Sequence, residues 1–298
     1  MHLISKFSED GWNVAFRRLP AATILNERNT PFSLIPNTWR SWAEDPFVFD
    51  HNGTTYIFAE IFDYWTRRGA IGYTCYVNGK WKRWKTVIRE PFHMSYPNVF
   101  FYDGQIYMVP ETSEAKELRL YRAVSFPNIW QLEKVLAADV EWVDTTFFEC
   151  ENCCYAITTD ISNLNDQKDI LLQFDNQWNL MSRNVVSEKE TGLSRSAGNF
   201  LRTEQGMVRV TQDCRGHYGR ALVFSRFLPD SLIDKGMGDL LLQLKPEDIP
   251  VQRAGKWTGV HTYNSAESIE VVDIERRHYN LIGLIGRLVW RIKMRLAR

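Results

Sequence analysis

Apolar and polar positions along the chain repeat as a hairpin. In DPFVFDHNGTTYIFAE, residues 45–60, a β-rich apolar run meets an Asn-Gly turn and returns as a second alternating strand that closes on Glu60. Fifty-one residues later YPNVFFYDGQIYMVPE, residues 96–111, repeats the length, the turn position and the closing carboxylate, Glu111. The pattern returns at 144–160 (DTTFFECENCCYAITTD) and 197–213 (AGNFLRTEQGMVRVTQD), and more weakly from Gly259 (GVHTYNSAESIEVVDIERRH). Between these copies lie further strand-like runs such as GAIGYTCYVNGKWKRWKTVI and LRLYRAVSFPNIWQLEKVL. Each unit therefore holds about four strands, the make-up of a propeller blade.

Four clear units and one weak one predict an all-β chain: a single five-bladed β-propeller over residues 1–279. The lone early strand WNVAFRRL, residues 12–19, has no partner in its own unit. It is assigned to the last blade, where it closes the ring and removes the exposed sheet edges. Residues 231–256 repeat nothing and are expected to form a helical or irregular insertion at the junction of the fourth and fifth blades.

The remaining segment, 280–298, reads NLIGLIGRLVWRIKMRLAR up to the last residue. Arg287, Arg291, Arg295 and Arg298 fall on one helical stripe with Lys293 near it, and Leu284, Ile285, Leu288, Ile292 and Leu296 fill much of the rest. Arg287 interrupts the apolar run too early for a bilayer span, so the expected place for this basic amphipathic helix is flat on an anionic membrane surface. The plainer alternative packs it on the propeller with its arginines in water.

Composition changes the picture only slightly. Lys+Arg and Asp+Glu both total 36, so no charge excess points to nucleic acid as partner. Aromatics make up 13% of the 298 residues, as suits a β core or a sugar-stacking surface. The opening residues MHLISKFSEDGW lack the apolar run of a secretory signal, and five cysteines is an odd count, so a cytoplasmic protein with reduced thiols is expected. Cys150, Cys153 and Cys154 have no second ligand pair at zinc-finger spacing, and no metal or cofactor is expected. Asn52-Gly53-Thr54 matches a glycosylation acceptor but occupies the turn the hairpin requires.

In a propeller the innermost strands line one central channel, so equivalent strand ends converge although they lie some fifty residues apart. That rule gathers Asp45, Glu60, Tyr96, Glu111, Asp144, Arg195, Gln212, Asp213 and His261, with His93, Tyr218 and Trp42 close by. The bland alternative holds several of them as turn residues bonded to nearby amides.

The stretch WAEDPFVFDHNGTTYIFAE resembles the first blade of the five-bladed propellers of glycoside hydrolase family 43. WAEDPFVF, HMSYPNVF, YMVPETSE, DTTFF, RSAGNF and TQDC followed by YG resemble more closely the N-terminal propeller of glucosamine inositolphosphorylceramide transferases and related bacterial polysaccharide-assembly proteins, over about residues 39–225. The resemblance implies that Asp45 takes the place of the hydrolase general base and Asp144 that of the aspartate tuning the acid. Around the acid's position this chain has Arg195-Ser196-Ala197-Gly198 and no Glu. A guanidinium cannot serve as the acid, because it keeps its proton near neutral pH. It suits the phosphate of an activated sugar, which it can grip in a fork.

The expectation is therefore a glycosyltransferase of surface polysaccharide or glycolipid assembly, at the inner face of the membrane. Asp45 would activate the acceptor hydroxyl of a glycan or lipid-linked glycan, and Arg195 would hold the activated donor. A family 43-type hydrolase using Asp45 and Glu111, and a catalytically silent glycan-binding propeller, stay open beside it.

Overall fold

A computed structural model of the protein describes residues 8–150, 153–187, 195–204, 206–227, 238–253 and 255–296. Five antiparallel sheets stand around one axis, each running outward from an inner strand. The inner strands are Ser41–His51, Ser95–Tyr102, Trp142–Cys150, Leu201–Thr203 and Tyr263–Ala266, in blades 1 to 5. Blade 5 is completed by the early strand, Ser8–Arg17, which pairs with Ile269–Tyr279 from Ser8 opposite Tyr279 to Arg17 opposite Glu270. The ring closes there, as the unpaired early strand predicts.

The hairpin turns follow from their residue types. Asn52-Gly53 and Asp103-Gly104 both take two consecutive positive φ angles, 49° and 72°, then 44° and 76°. That is the mirror-image turn whose twist matches the flanking strands. Cys150 and Cys153 face each other across the blade 3 hairpin, which places those thiols on a strand pair.

Strands here are apolar on both sides because each blade is covered on both faces. Val14, Ala43, Ile57 and Val271 pack between blades 5 and 1, Phe58, Ile71, Val99 and Met108 between 1 and 2, and Val109, Leu120, Phe147 and Ala156 between 2 and 3. Phe148, Leu171 and Phe227 fill the next interface, and Val210, Phe224, Tyr263 and Val272 the last. Truncating a fully buried ring such as Phe58 or Phe224 to Ala is worth about 3–5 kcal/mol of stability.

The expected insertion needs correcting. Leu240–Leu244 is the outermost strand of blade 4, with Leu244 opposite Leu222, and a short 3₁₀ turn, Pro246–Asp248, leads on to a bridge between Val251 and Phe32. The sequence hides this strand because it sits on an edge, where only Leu244 is buried. Residues 231–237 and 254 of that stretch lie outside the described residues.

The chain ends in an α-helix, Leu281–Leu296, whose first turn is capped by Asn280 Oδ1, accepting from the N–H groups of Ile282 (3.0 Å) and Gly283 (3.2 Å). Two glycines seat it on the propeller. A Cβ at Gly283 would come within 1.6 Å of Glu9 Oε2, and one at Gly286 within 2.1 Å of the Tyr64 carbonyl oxygen. Ile282 packs with Trp12, Trp42 and Tyr64, while Ile285, Leu288, Trp290 and Ile292 are exposed. Among the described residues no helix is long and apolar enough to cross a membrane.

Candidate active site

Three inner strands carry the same irregularity. Asp45, Tyr96 and Asp144 take φ of 52°, 45° and 52°, each at a break in register between the first two strands of its blade. Such a bulge inserts an extra residue and re-aims the side chains around it. For residues with a Cβ this conformation carries strain of order 1 kcal/mol, held in place by the packing around it. The bulge has a consequence that strict alternation would forbid. Glu44 and Asp45, though consecutive, are both buried and both influenced by the imidazole of His261.

Asp45 is bonded on all sides. Its Oδ1 accepts from Thr262 Oγ1 (2.7 Å) and pairs with His261 Nε2 (3.0 Å); its Oδ2 accepts from the Tyr96 N–H (3.2 Å). On the other side of the ring, His261 Nδ1 lies 3.1 Å from Asp273 Oδ2, and Asp273 also accepts from the N–H of Asp45. Burial alone would lower the imidazole's pKa, but the two carboxylates outweigh it and hold His261 well above the ordinary histidine value. Burial likewise opposes ionisation of Asp45, and the charge of the nearby imidazolium together with the hydrogen bonds from Thr262 and the Tyr96 N–H reverses this, leaving Asp45 below the usual aspartate range. Among the described residues, Asp45, His261 and Asp273 are also the one group whose donor atoms could converge on a metal ion. With both ring nitrogens facing carboxylates, the set reads as carboxylate, imidazolium, carboxylate.

Next to this ionised aspartate stand carboxyls of the opposite kind. Glu44 faces Glu60 across the hairpin, and its Oε1 accepts from Trp42 Nε1 at 2.8 Å. Burial is the main cause that pushes Glu44 up to about 8, with the charge of Asp45 adding to it. Glu60 is raised well above the ordinary value by burial and by Glu44, Asp45 and Glu111, and its Oε1 has no hydrogen-bond partner. Gly69 leaves room for this side chain, since a Cβ there would come within 2.3 Å of Glu60 Oε1. The Gly69 N–H donates to His93 Nδ1 (3.0 Å), so the ring's proton sits on Nε2, which faces Glu60 Oε1 at 3.6 Å. Glu111, the blade 2 counterpart of Glu60, accepts from Ser95 Oγ and the Ser113 N–H.

On the opposite side Asp144 Oδ2 accepts from Arg195 Nε (2.7 Å) and from Gln212 Nε2 (3.0 Å). Burial raises the Asp144 pKa in spite of the guanidinium. Arg195 lies 5.6 Å from the centroid of the Tyr218 ring, which in turn packs 4.9 Å from the ring of His261. Trp12 supports the imidazole edge-on at 4.2 Å, in space left by Gly219 and Gly259. Exposure rises from the carboxyls (0–8%) through Arg195 (24% of its side chain) to Tyr218 (45%), so Arg195 and Tyr218 form the rim above a buried acidic floor.

Most of the residues placed here from sequence are thus brought together: Asp45, Glu60, Glu111, Asp144, Arg195, Gln212, His261, His93 and Tyr218. Three are used otherwise. Asp213 is held by Arg215, Arg220 and Gln243, away from Asp144, because it follows Gln212 on a strand whose side chains alternate. The Tyr96 side chain is fully buried and its hydroxyl joins Thr146 and Gly198, fastening blades 2, 3 and 4. Trp42 is buried against Phe62 and serves Glu44. Arg195, read as a free phosphate fork, has already given its Nε to Asp144, so the side-on fork is spent. Sequence reasoning missed Glu44 and Asp273. No sequence signal marked Glu44, which comes opposite Glu60 only through the bulge; for Asp273 the signal was a lone carboxylate inside the apolar run VVDI.

The profile of Glucosamine inositolphosphorylceramide transferase 1, N-terminal, matches residues 24–263, which contain every one of these channel residues except Trp12 and Asp273. The chain belongs to that family. The rice (Oryza sativa subsp. indica) glucosamine inositolphosphorylceramide transferase 1 is 32% identical over 190 residues, 60% of this chain and 25% of the relative. The Arabidopsis thaliana protein of the same name is 29% identical over 254 residues, 79% of this chain and 32% of the relative. The chain therefore spans about a quarter to a third of these relatives. Among solved structures, a thermostable family-43 glycoside hydrolase is similar with a TM-score of 0.56 at 12% identity, covering 80% of this chain and 89% of that one. The family 117 glycoside hydrolase Zg3597 of Zobellia galactanivorans has a TM-score of 0.53 at 11% identity, covering 93% and 92%. At such identities the likeness shows the propeller fold alone.

Proposed function

We propose that this chain is a glycosyltransferase of glycolipid or surface-polysaccharide assembly, moving a sugar from a phosphate-activated donor to an acceptor hydroxyl at the axial pocket. The observation that carries the reading is the division of labour among carboxyls in one channel: Asp45 is pushed below the ordinary aspartate value by His261 and its hydrogen bonds, while burial pushes Glu44 up to about 8 and Glu60 well above the ordinary glutamate value. A pocket with a base and an acid of separated pKa values can take a proton from an attacking hydroxyl and support a departing oxygen. Asp45 is the base in this reading, His261 and Thr262 position it, and Tyr218 and Arg195 meet the sugar at the rim. Family membership favours a glycan or glycolipid acceptor over water, because the relatives are named glucosamine inositolphosphorylceramide transferases.

The helix Leu281–Leu296 fits the same reading. It turns Gly283 and Gly286 to the propeller and leaves Ile285, Leu288 and Ile292 exposed in a stripe flanked by Arg287 and Arg291, suited to the inner, anionic face of a membrane. Deleting residues 281–298 is expected to abolish sedimentation with anionic liposomes.

Because Glu44 supplies a protonated acid near Asp45, a second reading keeps hydrolysis in play, with water as the acceptor. Incubating the purified chain with activated sugars and a glycolipid acceptor, with product mass as readout, separates the two. Transfer requires the donor and gives an extended acceptor. Free reducing sugar released from a glycan without any donor would replace the transferase by the hydrolase.

A further inference from the structure

Arg195 gives its Nε to Asp144, and the floor of the axial pocket beneath it is acidic. A groove of about 1100 Å³ opens on the other side of Tyr218, along blade 5 and the chain leading into it. His217, Tyr218, Lys245, Lys256, Trp257 and Arg276 line it.

Arg276 is the unusual member. Its guanidinium lies over the Trp257 ring, 5.8 Å from the centroid, and its Nε is buried without a hydrogen-bond partner. The neighbouring arginines of the groove are matched: Arg220 pairs with Asp213 at 3.2 Å and Arg277 with Asp10 at 3.0 Å. Among the described residues Arg276 has no such carboxylate. Burial and the like charge of Arg253 depress its pKa, as expected of a cation whose counter-charge is missing. Three acids also line the groove: Asp10, which is paired with Arg277, Glu247 and Glu275. The Glu275 carboxylate accepts from Thr258 Oγ1 at 3.0 Å, and burial raises its pKa.

An unpaired, partly buried guanidinium stacked on an indole, with a lysine beside it, is suited to an anion with several oxygens. We propose that this groove holds the diphosphate of the activated sugar donor, gripped by Arg276 and Lys256, with Tyr218 as the wall it shares with the axial pocket. Tyr218 touches both Arg195 and His261, so a donor anchored in the groove has its sugar at the rim above Asp45. The assignment deepens the transferase reading and rests on it for the identity of the ligand.

Calorimetric titration of the full chain with inorganic diphosphate and with a nucleoside diphosphate tests it without turnover. Binding to the unaltered protein is expected, with the double variant Arg276→Ala, Lys256→Ala weakened about tenfold or more through loss of charge-assisted hydrogen bonds. Should that variant not fold by circular dichroism, Arg276→Lys decides: it keeps the charge and loses the fork, and is expected to bind severalfold more weakly. Asp45→Asn is expected to bind diphosphate as the unaltered protein does. No binding by the unaltered protein overturns the groove, as does unchanged binding in the Arg276 variants or loss confined to Arg195→Ala. A double variant that loses binding to anionic vesicles and keeps soluble diphosphate also overturns it, assigning the cations to a lipid headgroup. Diphosphate binding without sugar transfer would sink the transferase reading and leave the groove; transfer without diphosphate binding would do the reverse.

Discussion

Asp45 and Asp144 occupy the same place in blades 1 and 3, at a bulge with φ of 52° in both, and both are almost fully buried. Their ionisation is nevertheless pushed in opposite directions, Asp45 down and Asp144 up. Each has a cation within 3.0 Å, so proximity of charge does not distinguish them. The bonding of the carboxylate does, together with the like charges of Asp45 and Glu111, which raise Asp144. Asp45 accepts from the Tyr96 amide and the Thr262 hydroxyl as well as facing an imidazolium, whereas Asp144 relies on Arg195 and Gln212, and Arg195 is partly open to water. Identical backbone settings thus give one carboxylate fit to be a base and another fit to position its arginine. The neighbouring blade, and not the strand that carries the residue, makes the difference.

Three measurements break or sharpen this contrast. The largest effect is expected for Asp45→Asn, which keeps shape and loses the base: transfer should fall about a hundredfold or more with the fold intact by circular dichroism. Full activity in that protein would remove Asp45 from the mechanism. Asp144→Asn should appear chiefly in stability, since it leaves Arg195 without a counter-charge over an acidic floor. Denaturant unfolding should show a loss on the order of 3 kcal/mol, partly recovered when Arg195→Met is added. Simple additivity of the two changes would mean that the pair is not coupled. The smallest effect, taken per pH unit, concerns Glu44, whose folded value of about 8 lies above its ordinary 4.5. Between those values the folded state keeps a proton that the unfolded chain releases, so stability falls as pH rises, by up to about 1.4 kcal/mol per pH unit. Glu44→Gln should flatten that slope, and an unchanged slope would place the retained proton on Glu60.

Much of this was legible in the sequence. The hairpin spacing requires blades, the unpaired strand at residues 12–19 requires a closed ring, and the Asn-Gly and Asp-Gly turns fix where each hairpin reverses, because these are local properties of period, turn chemistry and length. The convergence of Asp45, Asp144, Arg195 and His261 also follows from the repeat, since equivalent strand ends must meet at the axis. What the chain does not disclose is orientation and partnership. Alternation assigns Glu44 and Asp45 to opposite faces, and only the bulge turns both inward. Asp213 looked as close to the pocket as Gln212, yet faces three side chains outside it. Arg195 looked free, and Asp144 had taken its Nε. Asp273 lies 228 residues from Asp45 and sets that aspartate's charge through one imidazole. Such pairings are decided by distances of about 3 Å between groups far apart along the chain. A repeat determines which positions meet at the axis, while the packing of neighbouring blades decides which atoms touch and therefore where each proton resides.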